Sequence, residues 1–196
     1  MITSIRMTNV LTVAALFLVA SLAIAQNAQA ATPSQAVIKR GKYISVIGGC
    51  NDCHTPKMMT PTGPAPDPSR LLSGHPALSP VAAVPPDVLG PGKWMAMANA
   101  DLTAWVGPWG VSFAANLTPD MATGLGQWTA AEFIKTMRTG KRQGVGRAIL
   151  PPMPVDALAA MTDADLRALF AYLQSIKPIQ NKVPEPVAPT GVKRGE

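Results

Sequence analysis

Both cysteines of this 196-residue chain fall within five consecutive residues, Cys50-Asn51-Asp52-Cys53-His54, and one of its two histidines closes the run. No other stretch narrows the chain's options as far. Two thiols three positions apart on one helical turn can each add to a vinyl group of the same porphyrin. The histidine that follows then faces the iron and supplies an axial nitrogen. Read this way, Cys50 and Cys53 hold one covalent haem c, and His54 is its first metal ligand. Two rivals remain open. A redox dithiol or disulfide would need a strand–turn–helix setting, and no βαβ pattern surrounds the run. A structural zinc site needs four ligands, and only His75 is left to help.

The N-terminus bears on the compartment. Met1 to Asn9 carries a single charge, Arg6, and an apolar run from Val10 to Ala25 ends in Ala28-Gln29-Ala30. This predicts a secretory signal peptide over residues 1–30, a domain over 31–180 and a flexible tail over 181–196. Left uncleaved, the apolar run would be a membrane tether. Export by itself favours a disulfide, and it is the adjacent His54 that tips the balance towards haem. The formal charge of +6 includes one charge from the signal segment. With no long Lys/Arg run and 5% aromatic residues, the chain lacks a nucleic-acid footprint. Its positive excess suits either a solvated surface or docking to an acidic protein.

Taken in order, the pattern predicts a helix from Pro33 to about Ile47, with Gly41 set where a close helix crossing would offset its cost. Nine prolines between Pro61 and Gly92 point to a long irregular loop. His75 lies in it, a candidate second axial ligand or an ordinary hydrogen-bonding histidine. Gly107-Pro108-Trp109-Gly110 is a turn. Thr129 and Glu132 form a capping box with Trp128 and Phe133 as its staple, and Gly140 ends that helix. Leu150-Pro151-Pro152-Met153-Pro154 is stiff and cannot be helix. A methionine held among prolines suits a thioether fixed against iron, which makes Met153 the candidate distal ligand. A last helix starts at Thr162 and stops before Pro178.

From about Lys39 to Ser175 the chain resembles an all-α, class I cytochrome c domain with a long proline-rich insertion. The resemblance rests on Arg40-Gly41-Lys42-Tyr43, Cys50-x-x-Cys53-His54, Leu72-Ser73-Gly74, Asn116-Leu117-Thr118-Pro119-Asp120, Thr123-Gly124-Leu125-Gly126-Gln127-Trp128, Pro151-Pro152-Met153-Pro154 and Asp165-Leu166-x-Ala168-Leu169-x-Ala171-Tyr172-Leu173. The Asn-Leu-Thr-Pro-Asp and Thr-Gly-x-Gly pieces are similar to haem domains in cytochrome subunits of periplasmic alcohol and aldehyde dehydrogenases. The resemblance implies that Gly41 and Tyr172 mark the crossing of the first and last helices. It also implies that Cys50 and Cys53 are thioether sites, His54 the proximal ligand and Met153 the distal one.

The expectation is an exported, periplasmic single-haem cytochrome c, not itself an enzyme. It would carry one electron at a time between protein redox partners. Two alternatives are a haem subunit of a dehydrogenase complex and a haem sensor or enzyme with a displaceable distal ligand.

Overall fold

The computed structural model describes residues 32–192, so the expected signal peptide over 1–30 lies outside the described residues. Helix α1, Gln35–Ile47, opens at Ser34, whose hydroxyl accepts from the Val37 N–H. Pro33 therefore precedes the cap instead of starting the helix. Gly41, Ile44 and Ser45 face inward. Tyr43 and Ile47, on the same helix, are 54% and 63% exposed. Ile47 is followed by Gly48 and Gly49, and then by the short helix α2, Cys50–His54.

Helix α3, Ala130–Thr139, carries the expected capping box between Thr129 and Glu132, and it ends at Gly140 with a φ of 62°. A short helix α4, Val155–Ala159, leads into α5, Asp163–Ser175. The Thr162 hydroxyl caps α5 by accepting from the Asp165 N–H. Helices α1 and α5 cross where Gly41 meets Ala168 and Tyr172. Phe133 and Phe170 join α3 to α5 with ring centroids 5.2 Å apart. Ile44, Leu72, Phe133, Leu166, Leu169 and Leu173 form the centre of the core.

The fold is not all-α. Among the described residues, five short antiparallel strands make it mixed α/β. Strand β1, Lys57–Thr60, pairs with β2, Gly63–Pro66. Strands β3, Met97–Ala98, β4, Ala104–Gly107, and β5, Gly110–Phe113, form a second sheet in that order. These strands hold two to four residues, too few for an alternating pattern to stand out. Prolines punctuate them as well. Pro64 and Pro66 sit in β2, an edge strand that can spare the missing N–H. The turn expected at Gly107-Pro108-Trp109-Gly110 is the link that closes the β4–β5 hairpin.

Residues after α5 run back over this second sheet. Asn181 donates to the carbonyls of Ser73 and His75, and its side-chain oxygen accepts from the Ala77 N–H. Val187 exchanges two backbone hydrogen bonds with Val111, at 2.8 and 2.9 Å. The expected flexible tail thus has fixed contacts over its first residues. Among the described residues, no helix is long and apolar enough to cross a membrane.

Candidate functional site

A five-residue helix has too few internal hydrogen bonds to hold itself, so α2 must be clamped from outside. Gly49 supplies the sharp entry with a φ of 66°, a left-handed conformation that glycine adopts without strain. Lys57 clamps the far end. Its Nζ donates to the carbonyls of Asn51, Asp52 and Thr55 at 3.2, 2.8 and 2.7 Å. One ammonium thereby meets three carbonyls at or just past the negative end of the helix. Cys50 and Cys53 are free thiols, both half-buried on this turn. Burial pushes both thiols up from their ordinary values, which keeps them neutral in the free chain.

His54 is buried, and its Nδ1 lies 2.7 Å from the Ala115 carbonyl oxygen. A carbonyl only accepts, so Nδ1 carries the proton and Nε2 presents its lone pair. Burial lowers the imidazole's pKa, which favours the neutral form that binds metals. The backbone around this bond is laced tightly. The Gly74 N–H donates to the His54 carbonyl at 2.8 Å, and the His75 N–H donates to Ala114 at 2.9 Å. The Thr55 hydroxyl accepts from the Leu72 N–H at 2.9 Å. A Cβ on Gly74 would lie 2.5 Å from the Ala114 oxygen, which explains a glycine after Leu72-Ser73.

Met153 is half-buried and lines an open cavity of about 490 Å³ with Ile149, Pro151 and Val155. None of the described hydrogen bonds joins Met153 to α2. The link between the two segments runs through β5. The Ser112 hydroxyl donates to the Pro151 carbonyl at 2.5 Å, and three residues further on Ala115 receives His54. One stretch of chain therefore anchors both candidate ligand segments.

His75 is committed elsewhere. It is fully buried, its ring packs against Phe113 at 4.8 Å, and its Nδ1 is 2.7 Å from the Thr103 hydroxyl. Thr103 gives its own proton to Asp101 at 2.6 Å, so it accepts from His75 Nδ1–H. The ring's other nitrogen is sealed without a partner. Among the described residues, no three His, Cys, Asp or Glu side chains gather as a metal cluster would require, so the zinc reading finds no support. Lys57, Ser112 and the Ala115 carbonyl belong to the site although no sequence motif marks them. Of these only Lys57 left a trace, as a cation three residues after a short helix.

No protein-family model matches the chain. It is similar to one of the subunits of nicotinate dehydrogenase from Pseudomonas putida, 31% identical over 151 residues, which are 77% of this chain and 10% of that protein. It is also similar to the cytochrome c subunit of alcohol dehydrogenase (quinone) of Gluconobacter oxydans, 28% identical over 161 residues, 81% of this chain and 26% of that subunit. A third relative is the gluconate 2-dehydrogenase cytochrome c subunit of Pantoea cypripedii, 25% identical over 147 residues, 74% of this chain and 25% of that subunit. The chain thus spans between a tenth and about a quarter of the length of these curated relatives.

Similarity to cytochrome c subunits implies covalently bound haem c. The residues present fit such a group. Two free thiols share one turn, and the imidazole beside them has Nδ1 engaged, which leaves Nε2 to donate its lone pair.

Proposed function

We propose that this chain is an exported single-haem cytochrome c that carries one electron at a time between protein redox partners, one of them a dehydrogenase. Haem c supplies a reversible one-electron couple when bound. Cys50 and Cys53 would hold it by two thioethers, and His54 Nε2 and the Met153 sulfur would ligate its iron. A thioether ligand favours the ferrous state and raises the reduction potential.

The rest of the chain's part is geometric. The Ala115 carbonyl fixes the tautomer and ring orientation of His54 and increases its basicity, as outer partners of ligating histidines do. Lys57 holds the turn that carries both thiols. Neither role needs a general base or a nucleophile acting on a substrate. The observation that carries the reading is the 2.7 Å contact between His54 Nδ1 and the Ala115 oxygen, because it leaves Nε2 as the nitrogen to face a metal.

The test is optical and biochemical. The purified protein should keep its haem through acid–acetone extraction, show a sulfur-to-iron band when ferric, and resist carbon monoxide when ferrous. Rapid carbon monoxide binding would mean an open sixth position and a sensor or enzyme instead. Reduction by a co-purifying dehydrogenase on addition of that enzyme's substrate would identify the electron donor.

A further inference from the structure

His54 is gripped at two points. Its carbonyl accepts from the Gly74 N–H at 2.8 Å, and its Nδ1 donates to the Ala115 carbonyl at 2.7 Å. The two gripping segments, residues 72–77 and 114–118, lie side by side. The His75 N–H donates to the Ala114 carbonyl and the Leu117 N–H to the Leu72 carbonyl, both at 2.9 Å. Neither segment belongs to a helix or a strand, so no regular ladder fixes where the Ala115 oxygen sits.

The chain beyond α5 ties both segments through one residue. The Asn181 side-chain amide donates to the carbonyls of Ser73 and His75, the residues on either side of Gly74, at 2.7 and 2.9 Å. Its side-chain oxygen accepts from the Ala77 N–H at 2.9 Å. Two donors and one acceptor on a single planar group are thus spent on one segment, which an aspartate or a leucine of similar size could not do. The Asn181 backbone serves the other segment. Its N–H donates to the Thr123 hydroxyl at 3.0 Å, and that hydroxyl also accepts from the Asn116 amide at 3.1 Å. Asn116 follows Ala115 directly, is buried, and donates as well to the Ile179 carbonyl at 2.8 Å.

We propose that Asn181 is a positioning residue for His54. It clamps residues 73–77 against residues 115–116, so that the Ala115 oxygen stays in line with Nδ1–H and Nε2 keeps one direction. The inference rests on His54 being an iron ligand. An outer partner of a ligating histidine sets ring orientation and raises ligand basicity. Asn181 acts one step further out, by fixing the backbone that carries that partner. With the clamp cut, the Ala115 bond lengthens, the Nδ1 proton is held less firmly, and the imidazole becomes a weaker donor that stabilises ferric iron less.

The test uses the isotope-labelled, haem-bearing protein in its ferrous form. The wild type, Asn181→Ala, Thr123→Val and Thr162→Ala are compared. Thr162→Ala removes the cap of α5 and lowers stability without touching the clamp, so it reports what general destabilisation does. Exchange of the His54 ring N–H with deuterated solvent is followed by NMR, and the reduction potential is measured by titration.

Asn181→Ala should speed the ring N–H exchange about two- to ten-fold over Thr162→Ala at matched stability, the worth of one loosened hydrogen bond, and should raise the potential. Thr123→Val cuts only the backbone side of the clamp and should move both readouts the same way by less. It carries the test where Asn181→Ala fails to accumulate. Exchange no faster than in Thr162→Ala overturns the proposal, and so does a potential that does not rise. A wild-type His54 ring without the upfield shift that the porphyrin ring current gives an axial ligand would instead overturn the ligand reading beneath it.

Discussion

A Cβ atom placed on Gly41 would run into the carbonyl oxygen of Ala168, and it would lie 2.8 Å from the Cβ of Tyr172. Helices α1 and α5 therefore touch backbone to backbone at this point. Gly41→Ala gains about 1 kcal/mol of helix propensity but must push the helices apart, and overpacking of this kind costs about 1–3 kcal/mol or more. The net change should be destabilising, read as a lower denaturant midpoint with little change in slope. A midpoint at or above the wild type would mean the crossing is looser than described.

Lys57 gives a second prediction. Its three acceptors are backbone carbonyls at the exit of α2, and among the described residues no other side chain donates to them. Lys57→Met keeps the aliphatic stem and removes the donors, which should cost about 1–2 kcal/mol. The loss should appear as faster amide hydrogen exchange over residues 50–55 before it appears in global unfolding. Unchanged exchange there would show that the turn holds without its cap.

Met153→Ala should keep the covalent haem while losing the sulfur-to-iron band of the ferric protein. It should also lower the reduction potential and let carbon monoxide bind the ferrous form. Survival of the band in this variant, with its loss in Met95→Ala or Met97→Ala, would move the distal ligand to the β3 region.

His75 sets a pH dependence. Burial holds its imidazole below the ordinary value, with Asp101 pulling partly the other way. The unfolded chain therefore takes up a proton near pH 6.5, while the folded chain takes it up only at lower pH. Stability from this group is complete above about pH 6.5 and is lost as the pH falls towards the folded value. Urea midpoints should decline between about pH 7 and 5.5, a window above most carboxylate titration, and His75→Gln should flatten that decline. An equal decline in the variant would assign the effect to other groups.

The helices were legible because their ends carry chemistry. Thr129 with Glu132, Gly140 and Thr162 declare themselves by side-chain type, and the structure uses each as a cap. The strands were not, since two to four residues with prolines among them carry no usable period. The candidate site divides along the same line. Cys50, Cys53, His54 and Met153 are conspicuous by identity and spacing. The oxygen that orients His54 belongs to the backbone of an alanine, and any residue at position 115 would offer the same atom. Ser112 gives as little away, because its hydrogen bond to Pro151 spans 39 residues.

The antiparallel exchange between Val187 and Val111 reaches beyond local order. Strand β5 lies at the margin of its sheet, and the returning chain pairs with that margin at Val111, taking up its N–H and carbonyl. Gly110 belongs to the same arrangement, since a side chain there would strike the Val187 carbonyl. An uncovered margin is a template on which a second molecule can add its own strand. A protease nick between residues 181 and 187 would thus act first on self-association, with clipped protein drifting towards dimers and larger aggregates at concentrations where the intact chain stays monomeric.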